Sequence, residues 1–455
     1  MDATTRRLAD FAIAAQFESL SAETVHQCKR RLLDTVASAI AGYDDPVCRR
    51  VRKLARRQTG KPAAGVWGSH IRSTPEMAAF ANGVMLRFMD ISDTYVGKSR
   101  GHPSDVISGI MAIAETVRAD GKSIITAVTL AYDLYCSFID AIEINKRGWD
   151  QPVYGVVATA LGAGRLLALS REQMENAVAL ALAPNMALAQ SRSGALSNWK
   201  GCAGVNAARN GVFAALLAEE NFTGPTAVFE GIGGLWDVLG KFEWPLPDPR
   251  GPHMVEQTHI KCLPVCFHGQ AAVLAALEIH PHLRVDLIED VQVETYDTAV
   301  LMMANDASRW APDTHETADH SMPYVIATAL LDGEVTAASF AQTRLTDRAV
   351  VALMQKITVS AAPDLCALYP ESAPGRVRVR MRSGEAQMRE VRYPKGHAKN
   401  PLTDTDLENK FRRILGEAGR TAQCDAALDM LWKFEQAEDA ASALVALLRV
   451  DEPAA

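Results

Sequence analysis

Along residues 1–265, apolar positions recur at three- and four-residue spacing between polar faces, the period of helices with one buried side. The stretch SAETVHQCKRRLLDTVASAIAG, residues 21–42, carries its own punctuation, with Ser21 as cap, Glu23 in the first turn and Gly42 as terminator. Thr74-Pro75-Glu76 opens a second helix with a cap and a proline at the first helical position, and Ser170 with Gln173 forms a capping box ahead of MENAVALALA. The Ala- and Gly-rich runs ATALGAGRLLALS and GVNAARNGVFAALLAEE let helix axes approach closely, as buried helices of a layered body require. Residues 1–265 therefore read as a large all-helical domain.

The period changes after about residue 285. DVQVETYDTAV alternates with period two, KITVSA does so briefly, and RVRVRMRSGEAQMREVRYP reads as two strands around the turn Ser383-Gly384-Glu385. Arg376, Arg378, Arg380 and Arg382 then share one strand face, which reads as solvated. Residues 266–399 form a smaller α+β domain. From Thr403, a cap followed by DLENKFRRILGEAG, the helical pattern returns, so residues 400–455 are expected to pack back on the first domain. The fold class is mainly α with a smaller α+β domain.

Composition removes several functions. A chain of 455 residues with net charge −7 has ample core and no basic stripe, which excludes a disulfide-stapled scaffold and argues against nucleic acid as a partner. Charged residues interrupt each apolar run, and the N-terminus lacks a secretory signal pattern, so no membrane partner and a cytoplasmic location are expected. The eight cysteines fall mostly within apolar helical patterns and read as reduced core thiols. In HIKCLPVCFHG, residues 259–269, two histidines and two cysteines are close in sequence, but Cys-x3-Cys lacks a second paired knuckle. No metal is assigned.

Chemistry concentrates at FMDISDTYVGKSRGHPSD, residues 88–105, a break between long apolar helices. Gly97 and Gly101 interrupt the pattern, and His102 falls just ahead of a new helix, where free N–H groups favour an anion. Asp90 and Thr94 would share a side if the preceding helix ran on through them. Lys200, in LSNWKGCAGVNAARNG, enters a small-residue helix where burial would lower its pKa toward a value useful for proton transfer. Lys261 and His268 bracket Pro264 near the change of domain, a favoured place for a cleft.

Five segments together resemble the 2-methylcitrate dehydratase family, also called MmgE/PrpD: MD-x-x-DT with HPSD at 89–105, WKG-x-x-x-x-NAARNG at 199–211, K-x-x-P-x-x-x-H at 261–268, HSMPY at 320–324, and KNPLTDTDLENKF at 399–411. The resemblance implies a helical domain built from both chain ends, an α+β lid, a homodimer, and an active site in the cleft between domains with neither metal nor organic cofactor. It carries Asp90, His102, Lys200 and Tyr324 over as catalytic residues. Thr94, Asp150, Gln151, Lys261 and His268 become the substrate-binding set. At Asp150-Gln151 the chain departs from the family, whose decarboxylases carry a histidine there and whose dehydratases resemble an Asp-His pair.

The resemblance implies a di- or tricarboxylate substrate whose reactive carbon lies next to a carboxylate. Dehydration of a 2-methylcitrate-like hydroxy acid, a step of propionate metabolism, ranks first. Epimerisation of an iminodisuccinate-like dicarboxylate, an isomerase activity, is the runner-up, and cis-aconitate-type decarboxylation the third. A non-catalytic helical binding protein is the alternative of another class.

Overall fold

The computed structural model describes residues 1–194 and 196–450. The punctuation noted in the sequence sets the helix ends. Ser21 accepts from the Thr24 N–H at the start of Ala22–Ala41 and Gly42 closes it. The capping box of Ser170 and Gln173 opens Arg171–Leu182, and a second box of Thr403 and Asp406 opens Asp404–Glu417.

One hydrophobic core runs through the helices of the first 260 residues and also takes in Leu407, Phe411, Leu428 and Leu444 from the C-terminal helices. Its centre is the packing of Pro75–Phe88, Asp105–Val117, Pro152–Leu166 and Trp199–Glu219. Small residues make these approaches possible: a Cβ on Gly204 would run into the Asp105 carboxylate, and one on Gly101 would stand 2.5 Å from the Tyr135 hydroxyl. The helix Gly121–Ala141 is long and apolar enough to cross a membrane, contrary to the expectation that charges interrupt every such run. Its apolar window is 94% buried inside the fold, so its hydropathy serves the core.

A second core, from Val265 to Met381, is separate. It holds a four-stranded sheet in the order Ile357–Ala361, Ile288–Thr295, Gly375–Met381, Ala386–Val391, with the first pair parallel and the others antiparallel. Helices Gln270–Ile279 and Met322–Asp332 cover one face through Val273, Ala276, Val325 and Ile326. On the other face Arg376 pairs with Glu294, Asp364 and Glu390, and Arg380 with Glu289 and Asp290. The alternating arginines are thus a compensated, solvated sheet surface. The architecture is mainly α with a small α+β region, as the periodicity indicates.

Three local readings are corrected. The alternation of DVQVETYDTAV ends as a strand at Thr295, and Asp297–Met303 is helical, because Asp297 begins a new first turn. Short ladders pair Ala64–Gly65 with Arg72–Ser73 and Tyr95–Val96 with Arg100–Gly101 inside the helical region, each too short to leave an alternating pattern. The helix Pro75–Phe88 does not continue through Asp90 and Thr94; Asp90 takes a positive φ of 47° and turns the chain.

Candidate functional site

The turn at Asp90 lies on the wall of a cleft between the two cores. Asp90, Thr94, His102, Asp150, Gln151, Lys200, Lys261 and His268 all line it. Tyr324 does not. Its ring is fully buried in the second core and its hydroxyl donates to the Ser339 carbonyl, so its assignment as a catalytic residue is withdrawn.

Asp90 is the electrostatic hub. Its Oδ1 lies 3.2 Å from Arg87 Nη2 and 3.0 Å from Lys261 Nζ, and its Oδ2 lies 3.6 Å from Lys200 Nζ and 3.9 Å from His320 Nε2. Lys261 also donates to the Asp90 backbone carbonyl at 2.7 Å, which fixes the positive-φ turn. Burial would raise the Asp90 carboxyl, but Lys200, Lys261, Arg87 and His320 hold it well below the usual carboxylate range. Burial lowers Lys261, against the pull of Asp90. Beneath them, Arg87 Nε stands 3.1 Å from Asp105, whose carboxyl burial pushes up to about 7 despite that partner.

His102 is held by its own loop. Its Nδ1 donates to the Asp93 carbonyl at 2.8 Å, which leaves Nε2 as the acceptor, and its backbone N–H donates to the Tyr135 hydroxyl at 3.1 Å. Asp93 is a clamp: its carboxylate takes the Ser104 N–H at 3.0 Å and the Tyr132 hydroxyl at 2.8 Å. Burial, with Arg87 and Lys261 nearby, keeps the His102 imidazole well below its ordinary pKa and therefore neutral. His268 is likewise neutral, depressed first by burial and then by Arg100, with Nδ1 2.6 Å from the Tyr296 hydroxyl.

The remaining assigned residues build walls. Thr94 donates to the Gly101 carbonyl at 2.9 Å and pairs through its backbone with His259, so it holds the loop. Asp150 receives Arg192 Nε at 3.0 Å and the Ser191 hydroxyl at 2.9 Å, and Gln151 accepts from the Tyr135 hydroxyl at 3.4 Å.

Several cleft residues were missed in the sequence. Arg100 lies in the stretch 88–105 and lines the cleft, and among the described residues no carboxylate pairs with it; its contact is Met302 Sδ at 3.2 Å. His320 is the first residue of the HSMPY segment, and its Nδ1 meets Asp319. Cys266 lies in HIKCLPVCFHG and lines the cleft with His320, whose charge lowers the thiol against the effect of burial. The four His and Cys side chains of that segment take separate partners: His259 stacks on His397 at 4.1 Å, Cys262 faces Gln270, and His268 meets Tyr296. Asp90, Asp319 and His320 place donor atoms within 4.8 Å of one another, but the Lys200 ammonium stands 3.6 Å from both carboxylates and supplies the positive charge there.

Fold and site define a mainly helical protein with a buried, cation-rich cleft between its two main hydrophobic cores. The chain belongs to the MmgE/PrpD family: residues 6–245 match the MmgE/PrpD N-terminal domain and residues 263–436 the MmgE/PrpD C-terminal domain. It is 28% identical over 437 residues to the 2-methylcitrate dehydratase of Escherichia coli (strain K12), covering 90% of this chain and 89% of that protein. It is 26% identical to the 2-methylcitrate dehydratase of Cupriavidus necator, covering 92% and 91%. The cis-aconitate decarboxylase of Homo sapiens is 24% identical, covering 95% and 92%.

Proposed function

We propose that the protein is a lyase that dehydrates a hydroxy polycarboxylate of the 2-methylcitrate type through acid–base chemistry of its own side chains. The carrying observation is the charge balance around a neutral imidazole. Of the residues that line the cleft, the cations Arg100, Arg192, Lys200 and Lys261 outnumber the carboxylates Asp90 and Asp150, and the same cleft contains His102 with Nε2 as acceptor. Such a cleft has net positive charge for an anion with several carboxylates, and Arg100 is the cation with no internal carboxylate partner among the described residues.

A proton next to a carboxylate is weakly acidic, and its removal places negative charge on the carboxylate oxygens. His102 Nε2 takes that proton. Lys200 and Lys261, oriented by Asp90, stabilise the charge that develops. Loss of the β-hydroxyl as water then completes the double bond. Gln151 supplies an amide where the decarboxylases and the dehydratases of the family both have an imidazole, so His102 is the neutral imidazole left to act as base.

The test is proton NMR in deuterated water with 2-methylcitrate, citrate, cis-aconitate and iminodisuccinate. A new olefinic signal from a hydroxy acid is expected. Exchange confined to iminodisuccinate would replace the reading with epimerisation, loss of carbon dioxide from cis-aconitate would replace it with decarboxylation, and silence on all four would end the substrate class.

A further inference from the structure

Dehydration, as proposed above, needs a group to protonate the departing hydroxyl, a need that exists only on that reading, and Tyr324 lies outside the cleft. Lys200 is engaged by two carboxylates at 3.6 Å each, and His102 is set as a proton acceptor. The remaining polar groups include an ordered chain. Asp319 is fully buried, its Oδ1 meets Nδ1 of His320, and the His320 ring stands beside Cys266, which lines the same cavity. The Cys266 backbone N–H donates to the Asp319 carbonyl at 3.0 Å, so the same residue that orients the imidazole also places the thiol. This is the order in which an orienting carboxylate, an imidazole and a reactive side chain work together.

We infer that Cys266, working as a pair with His320 beside it in the cleft wall, is the general acid of the cleft. The pair holds one proton between sulfur and ring. The groups facing it are Asp90, Asp319, Lys200 and Lys261. Burial raises the thiol, but the neighbouring His320 outweighs it and leaves Cys266 below an ordinary thiol. Burial and Lys200 lower His320, and Cys266 and Asp319 outweigh them and leave the imidazole above its ordinary value. In the reaction, His102 takes the proton next to the carboxylate, the C–H electrons form the double bond, and the C–O bond breaks. The proton of the Cys266–His320 pair moves to the departing oxygen, which leaves as water. The pair is left as thiolate and neutral imidazole, and the proton on His102 returns to it through solvent.

The test uses Cys266→Ala and Cys266→Ser with 2-methylcitrate and with its analogue carrying fluorine in place of the hydroxyl, since fluoride leaves without a proton. On the hydroxy acid kcat should fall by about 10²–10⁴, the usual contribution of a general acid, while fluoride release and hydrogen–deuterium exchange at the reacting carbon stay within about tenfold of wild type. Equal loss on both substrates, or a hydroxy-acid rate near wild type, overturns the acid role. Thiolate absorbance near 240 nm, independent of any substrate, should be present in wild type at pH 7 and missing in Cys266→Ser and in His320→Asn. Its absence from wild type overturns the pairing. A wild type inert on hydroxy acids but carrying that signal overturns the dehydratase reading and leaves the pairing standing.

Discussion

Lys410 lies on the C-terminal helix Asp404–Glu417, far from the cleft in sequence, and holds the cleft's two framing segments together. Its ammonium pairs with Asp34 Oδ1 at 2.5 Å and donates to the carbonyls of Ile91 at 2.9 Å and Lys261 at 2.7 Å. Ile91 follows the Asp90 turn and Lys261 is the Asp90 partner, so one buried ammonium fastens both sides of the hub. Lys410→Met keeps the apolar stem and removes the charge. Asp34 is then a buried carboxylate without its cation and two carbonyls lose their donor, a loss of about 3–5 kcal/mol by the usual penalty for breaking a buried pair. With an unfolding entropy of about 2.1 cal/mol/K per residue, a chain melting as one unit loses about 1 °C per kcal/mol, hence roughly 3–5 °C in Tm. Asp34→Asn added to Lys410→Met removes the stranded charge and should recover part of that loss. Burial already raises the Asp34 carboxyl against the pull of Lys410, so in the single variant it should be raised further and bind a proton at a higher pH than in wild type. Differential scanning calorimetry on the two variants decides. A single variant melting within about 1 °C of wild type, or a double variant melting below the single one, refutes the clamp.

His102→Ala should lower turnover by about 10²–10⁴ with no change in far-ultraviolet circular dichroism, because the ring's anchor is a backbone carbonyl that water can satisfy; a wild-type rate removes His102 from the reaction. Tyr324→Phe should keep kcat and KM and lose only about 0.5–1.5 kcal/mol of stability, the usual net worth of its hydrogen bond to Ser339; a large fall in kcat with intact Tm would return the phenol to the chemistry. Since burial holds His102 below its ordinary 6.5, the acid limb of kcat/KM should lie below pH 6.5, and a limb at or above 6.5 contradicts a neutral imidazole. His259 is depressed from the same 6.5 by burial and His397, and accepts from the Ala398 N–H at 3.0 Å. The unfolded chain therefore binds the extra proton, and this contribution to stability is lost as pH falls below 6.5. His259→Gln should lessen the fall in Tm between about pH 7 and 5, and an unchanged fall would show that His259 does not set it.

Caps and terminators are local, and that is why Ser21, Ser170 and Thr403 marked helix starts that the structure keeps. Alternation was equally direct for Gly375–Met381, where Val377 and Val379 point inward and the arginines outward. It misled at Tyr296–Val300, because a helical first turn and a strand end both tolerate mixed apolar and polar residues. The apolar helix Gly121–Ala141 shows the limit of composition: the same hydropathy suits a bilayer or a protein core, and only packing separates them.

The site was legible where chemistry and chain position coincide, and hidden where a distant segment completes it. His102 and Asp90 stood out because titratable groups crowd one helix break. Asp90 and Thr94 were expected to share a side of a continued helix, whereas the positive φ of Asp90 ends that helix and swings its carboxylate under Lys200 and Lys261. No local pattern announces such a turn, since Asp adopts it only when its surroundings hold it there. The holding groups come from three places: the 261 segment, the first turn of Trp199–Glu219, and Lys410 at the other end of the chain. His320 and Lys410 sit inside the motifs HSMPY and KNPLTDTDLENKF, yet the phenol beside one and the helix cap beside the other drew the reading. A motif's most reactive-looking residue is therefore a poor guide to which member reaches the cleft. In HSMPY the helix cap at Ser321 decides it: Tyr324 is carried into the first turn of Met322–Asp332 and inward to the core, while His320, ahead of the cap, stays at the cleft wall.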